Sequence, residues 1–379
     1  MLRKKTLLQA TLGAVISYNS RSIGITDDDR LWVAYQTSGG LLFCRYSDDG
    51  GITWSVEEQV GSAGADMNRP AIQGLGNKLH VVGSDPSLVN SVKYYCRTGD
   101  VWGAAEPANN VINGDNADLI VTSAEIPYVV LRYAPSGTYT TVRKRDKLTG
   151  SWGNAVDLTV DDGWQVIDMS SALDEENNKI HATWRLQFIA DTTQYKIQTA
   201  SFDMVALSWS AVTTLDSFTR NTVNPIPPKV RLIGDDVWIV WARDGLGTYT
   251  SKLQIRYAIY SGGSWGSAQT LTDHDGLHQT YEMLWYADTL HLIYTKEKAT
   301  IGTADVCQLI YRRYGNSTWS DETILTNSPT NQIAPNAIIL GSTAHLTWWS
   351  VNAGQYDLVY CPISLERYPE LDVRKTYIG

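Results

Sequence analysis

The sequence predicts an all-β fold, a seven-bladed β-propeller of four-stranded antiparallel blades, and three observations carry that expectation. A strand of the form Leu-His-Val-x-Trp recurs seven times. It reads LWVAY at 31–35, LHVVG at 79–83, PYVVL at 127–131, IHATW at 180–184, VWIVW at 237–241, LHLIY at 290–294 and AHLTW at 344–348, spaced by 48 to 57 residues. Each copy has a shorter apolar strand before it and a third strand after it, and self-similarity at such a period is the mark of a repeat architecture. Six of the seven units then turn into a Trp followed by Ser or Gly, at Trp54, Trp102, Trp152, Trp209, Trp265 and Trp319. Four strands per unit and seven units make a propeller. No helical periodicity of useful length competes with that reading.

Within each unit the strands are named A to D from the axis outward. The A strands begin near SIGIT, PAIQG, DLIVT, SSALD, PPKVRLIG, TYEMLW and NAIIL, and the C strands run LLFCRYS, VKYYCRT, TYTTVRK, YKIQTAS, LQIRYAI, QLIYRRY and YDLVYCP. The seventh unit lacks a Trp after its C strand, so its outer strand must come from elsewhere. Two segments compete. Residues 6–12, TLLQATL, lie at the right distance before Arg21 and would close the ring with the N-terminal strand, the favoured arrangement. The alternative is YPELDV, because Tyr368 follows Tyr360 by the same eight residues that separate Trp54 from Tyr46. Residues 1–363 then form one domain, and 364–379 are a tail that supplies this strand or docks on a partner.

Composition narrows the function. The 379 residues carry 31 Lys and Arg against 40 Asp and Glu, a net charge of −9. A nucleic-acid partner, which asks for a basic stripe, is not expected. A polyanionic glycan is disfavoured more weakly. No stretch is long and apolar enough for a membrane helix, so no membrane partner is expected. The opening MLRKKTLLQATLGAV imitates a secretory signal, but Gln9 and Thr11 interrupt its apolar run. No compartment follows. Cys44, Cys96 and Cys361 share one repeat column and Cys307 stands apart, so free thiols are favoured over disulfides, which need Cα atoms within roughly 7 Å.

Propeller geometry sorts the remaining residues. The A–B and C–D turns share one rim, and the D–A and B–C connections share the other. The second set is longer and chemically mixed, so it is the expected ligand rim. His80, His181, His291 and His345 occupy one strand-B column and read as packing or hydrogen-bonding residues. His274 and His278, in TDHDGLHQT, sit on the ligand rim. With Asp275 they have metal-ligand chemistry, but nothing fixes their geometry, so neither a metal nor a cofactor is expected. Arg69, Arg185 and Arg243 lie near the same rim and suit the carboxylate of an acidic sugar. Their alternative is pairing with Asp118, Asp168 and Asp244. Trp164, in DDGWQ, and Trp349 are the candidate stacking platforms.

The turn after the first C strand reads Ser47-Asp48-Asp49-Gly50-Gly51-Ile52-Thr53-Trp54. It resembles the Asp-box, or bacterial neuraminidase repeat, of sialidase-like β-propellers, with worn copies at YSGGSW (260–265) and YGNSTW (314–319). The resemblance covers the whole chain as architecture but only these eight residues as a strict motif. It gives Ser47, Asp49, Gly51, Thr53 and Trp54 a structural role. Sialidases also have six blades, an Arg-Ile-Pro element and a Tyr–Glu nucleophile pair. Here Asn68-Arg69-Pro70 replaces the first, and no Tyr–Glu pair can be placed. Seven-bladed relatives imply lyases, glycosidases and lectins. A lyase could draw on His278, Tyr281, Arg243 and Lys296. A hydrolase needs two nearby carboxylates, and Asp85, Asp161, Asp162, Asp244 and Glu297 offer too many choices. The expectation is glycan or oligosaccharide recognition, lectin-like, on a phage particle or a cell surface. Its alternatives are a lyase or hydrolase acting on an acidic glycan, and an assembly protein that meets a protein partner through a chain terminus.

Overall fold

A computed structural model describes residues 5–10, 21–37, 41–61, 68–85, 91–108, 114–133, 139–144, 151–159, 163–246, 250, 252–272, 280–298, 306–315, 317–352 and 355–366. These residues form seven separate antiparallel sheets of four or five strands each, with no helix among them. The A strands are Ile23–Ile25, Asn68–Leu75, Gly114–Val121, Trp164–Asp174, Ile226–Ile233, Tyr281–Tyr286 and Asn331–Leu340. Each pairs with the strand that follows it, and the sheets are the seven blades the repeats predict.

Lys5–Ala10 decides the competition for the last outer strand. It pairs antiparallel with Gln355–Ser364, placing Lys5 opposite Tyr360 and Ala10 opposite Tyr356. The N-terminal strand therefore closes the ring. YPELDV and the rest of the 364–379 tail lie outside the described residues beyond Glu366.

The apolar core is divided into layers between neighbouring blades, because each sheet is radial and must cover both faces. Blades 1 and 2 bury Trp32, Val81 and Tyr95 between them. Blades 3 and 4 bury Tyr128, Trp184 and Phe202. The layer between blades 7 and 1 holds Leu7, Val33, Trp349 and Tyr360. Strand B residues are buried on successive positions, as in Leu31–Gln36, whose six residues are all buried, since the alternation of a strand only chooses between two covered faces.

Five A strands carry a β-bulge at the same height, between Asn68 and Ala71, Asp115 and Asp118, Val166 and Asp168, Ile226 and Lys229, and Ile333 and Asn336. Pro70, Pro228 and Pro335 fall inside three of them, a place in a sheet where a residue without an N–H is tolerated.

The 47–54 turn is a network of hydrogen bonds. Ser47 Oγ accepts from Gly51 N at 2.8 Å and donates to Asp49 Oδ1 at 2.8 Å. Asp49 accepts from Thr53 N at 2.7 Å and from Thr53 Oγ1 at 2.6 Å. Gly51 sits at φ 90°, and a Cβ there would lie 2.1 Å from Tyr360 Oη. The turn is thus pressed against blade 7, with Trp54 edge-on to the Tyr360 ring at 5.1 Å. The bonds from Thr53 and Ser47 hold the Asp49 carboxyl down to about 2. A depressed carboxylate stabilises the fold fully above its unfolded pKa of about 3.9, and that contribution is lost as pH falls through the folded value. Asp49→Ala is expected to lower the melting temperature near neutral pH, with the gap from wild type closing towards about pH 2. Ligand affinity should be untouched, because the turn is on the rim away from the long connections. A gap that ignores pH in calorimetry would contradict the assignment.

Candidate functional site

The A strands bring charged side chains to the axis. Lys229 on blade 5 donates to Glu282 on blade 6 at 2.6 Å, and Arg231 reaches the other carboxylate oxygen at 2.7 Å. Glu282 is 2 % exposed. Burial pushes its carboxyl up, but Arg231 and Lys229 outweigh burial and hold it below the usual range. From blade 1, Arg21 crosses the channel to blades 3 and 4. It donates to Leu119 O at 3.0 Å and to Ser171 O, and it lies 3.7 Å from Asp118. Asp118 also accepts from Ser171 N and Oγ at 2.7 and 2.8 Å. Arg21 thus ties blade 1 to blades 3 and 4 across the axis, where a cavity of about 440 Å³ remains, lined by Arg21, Arg231, Glu282 and Asn336.

The rim of D–A and B–C connections carries a different cluster over blades 3 to 5. Trp164 opens the A strand of blade 4, half-buried between Phe188 at 5.2 Å and the Lys196 ammonium 4.3 Å over its ring. Arg132 from blade 3 donates to Val166 O at 2.8 Å, two residues along the same strand. Arg185 pairs with Asp168 and donates to Pro225 O, with its guanidinium 5.7 Å from the Tyr195 ring. Arg220 binds Asn224 Oδ1. A chain of amides and hydroxyls links these groups. Gln165 donates to Gln187 Oε1 at 3.2 Å, Gln187 to Tyr195 Oη at 2.7 Å, and Tyr195 to Asn224 Oδ1 at 3.3 Å. Arg132 and Lys196 thus stand at the Trp164 strand and the amide chain leads on to Arg220, while Arg185 is neutralised by Asp168.

The other sequence candidates fall elsewhere. Trp349 is 7 % exposed and packs with Leu7 and Leu358 in the layer between blades 7 and 1. Tyr281 is 2 % exposed, and its hydroxyl donates to the carbonyls of Pro227 and Val240, the latter at 3.0 Å. Burial raises its pKa well above the phenol range. Arg243 pairs with Asp216 at 3.1 Å, not with the Asp244 carboxylate, and stacks on Phe218 at 4.3 Å. Asp244 accepts instead from the N–H groups of Asn221, Thr222 and Val223. Lys296 pairs with Glu322 at 2.6 Å, and Glu297 with Lys252 at 3.1 Å. Arg69 lies in the bulge of blade 2, with its side chain outside what is described, and His274 and His278 lie outside the described residues. Among the described residues no group of three His, Cys, Asp or Glu side chains could hold a metal ion.

The column histidines serve the blades. His80, His291 and His345 each place Nδ1 2.6 to 2.7 Å from a tyrosine hydroxyl on the neighbouring C strand. Burial lowers His345 to about 4. Lys196, Arg220, Gln165 and Gln187 were not singled out by the sequence.

Solved structures share this architecture. An ulvan lyase, described as a new family of polysaccharide lyase, superposes with a TM-score of 0.73 at 10% identity over 96% of both chains. A second structure of that lyase, bound to -[GlcA(1-4)Rha3S]-, gives 0.71 at 11% identity over 96% of both. The α-L-arabinofuranosidase of Fusarium graminearum gives 0.52 at 12% identity, over 96% of this chain and 99% of that one. The sialidase of Trypanosoma rangeli gives 0.53 at 12% identity, over 96% of this chain and 58% of that one. What is shared is the fold. No protein-family model matches the sequence, and no curated protein does. The sialidase likeness of the 47–54 turn thus extends to the whole ring as architecture.

Proposed function

We propose that this propeller binds an acidic polysaccharide across the D–A/B–C rim of blades 3 to 5. The observation that carries the reading is the placing of Arg132 and Lys196 at the Trp164 strand, joined through the Gln165–Gln187–Tyr195–Asn224 chain to Arg220. The net charge of −9 weighs against a polyanion only if the charge is evenly spread, and here it is not. Arginine forks suit carboxylate and sulfate groups, and the amide chain suits sugar hydroxyls. The complex of the ulvan lyase with a glucuronate-containing oligosaccharide supports the ligand class.

The test is calorimetric titration of the full chain with a uronate polysaccharide at two salt concentrations. Binding should weaken with salt, as screened charge contacts do. Lys196→Ala should cost about 1 kcal/mol, roughly a fivefold loss of affinity. Salt-independent binding, or full affinity in the variant, would overturn the reading. A second reading is β-elimination by a polysaccharide lyase, favoured by the full-length similarity to the ulvan lyase. Incubation with the same polymer distinguishes the two, because only a lyase generates an unsaturated, ultraviolet-absorbing product.

A further inference from the structure

A groove of about 620 Å³ lies on the opposite rim, between blades 4 and 5. Its lining differs from that of the blades whose column histidine meets a tyrosine. In blades 2, 6 and 7 the column histidine bonds to a tyrosine two residues before its own cross-strand partner, at Tyr94, Tyr311 and Tyr360. Two of these rings also receive the Trp of the next blade, Trp152 on Tyr94 at 5.4 Å and Trp54 on Tyr360 at 5.1 Å. In blade 4 that position is Thr199. His181 turns instead to Ser201 Oγ at 2.8 Å and to Asp174 at 3.3 Å, and Trp265 of blade 5 has Tyr260 of its own blade at 5.4 Å. Two glycines measure the space released. Gly51 and Gly263 each stand second of a glycine pair in their C–D turns, at φ 90° and 91°. A Cβ on Gly51 would strike Tyr360, whereas one on Gly263 would meet nothing within 4 Å.

We infer that this groove is a second carbohydrate site, one that takes a single uncharged pyranose ring. It is distinct in place and in chemistry from the basic rim. Trp265 lines it together with the hydroxyls of Ser201, Ser208, Ser210 and Ser264, while the Trp209 indole turns to the other face of blade 4, onto Phe202 and Val156 O. A pyranose offers an apolar C–H face to indole and a rim of hydroxyls to polar side chains, the combination such pockets recognise. Lys179 and Asp203 add one charge of each sign, so the lining carries no net charge to select an ionised sugar. Burial keeps His181 below its ordinary pKa although Asp174 opposes it, so near neutral pH the imidazole is an uncharged hydrogen-bonding group.

Saturation-transfer NMR on the full chain, with methyl glucopyranoside, methyl galactopyranoside and N-acetylglucosamine as probes, tests the site. At least one probe should show transfer with the wild type. Thr199→Tyr puts into the groove the ring that blades 2, 6 and 7 carry there and should cut that transfer to about one-tenth, with the melting temperature unchanged or raised. Ser208→Tyr, at an exposed position on the groove mouth, should do the same without touching the core. No transfer from any probe to the wild type, or transfer that survives in the folded variants, overturns the inference. Lys196→Ala should leave the pyranose signal intact, and Thr199→Tyr should leave polyuronate binding intact, so each site fails or stands by itself.

Discussion

Glu282→Ala is expected to destabilise the propeller by about 3–5 kcal/mol, the usual cost of breaking a buried ion pair by removing one partner. The carboxylate is 2 % exposed and neutralises two cations from the neighbouring blade, Lys229 at 2.6 Å and Arg231 at 2.7 Å. Lys229 is itself 5 % exposed. Without Glu282 its ammonium is left in a low-dielectric interior. Urea denaturation near neutral pH measures the loss. Replacing all three groups by apolar side chains, as Glu282→Leu, Lys229→Met and Arg231→Leu, should recover most of it, because no charge is then left unpaired. An alanine variant as stable as the wild type would mean that both cations find solvent in the channel.

Removing residues 1–10 should be the most damaging change of all. Lys5–Ala10 covers the outer edge of blade 7 and brings Leu7 into the layer with Tyr35, Trp349 and Tyr360. Its loss uncovers a row of strand N–H and C=O groups, an edge prone to pairing with other chains, and opens the contact between blades 7 and 1. The truncated chain should elute as oligomers in size-exclusion chromatography and melt less cooperatively. A synthetic KTLLQA peptide should restore part of the transition by adding back the strand. Leu7→Ala, a milder change, should cost about 2–4 kcal/mol. A truncated monomer with the wild-type melting profile would refute this account of ring closure.

The ring itself was legible because its repeats are local. Each blade shows its B strand and its Trp within about fifty residues, a period that repeat architectures display. Less of the site could be read. Trp349 looked like a platform because it follows Trp348 in a strand, where neighbouring side chains point to opposite faces. In a radial sheet both faces are covered. Trp348 donates to Gln332 at 2.6 Å in the core, and Trp349 packs on the N-terminal strand. The channel network was hidden for another reason. Lys229 and Glu282 interrupt two apolar A strands, but each finds its partner on the adjacent blade, at a distance in sequence that no repeat encodes. The basic rim was partly visible through Arg185 and Trp164, while Lys196 acquires its place only when a B–C connection folds it over the indole.

The closing strand also has a consequence in time. Lys5 pairs with Tyr360, so nearly the whole chain must be made before the first strand meets its partner. At ribosomal rates of about 5–20 residues per second, KTLLQA waits roughly 20 to 70 s as an unpaired, partly apolar segment. For that interval the nascent protein is an open arc whose first strand has no partner of its own, and on a crowded polysome it can be captured by the blade-7 edge of another chain. The circle protects its edges only once Gln355–Ser364 has been made.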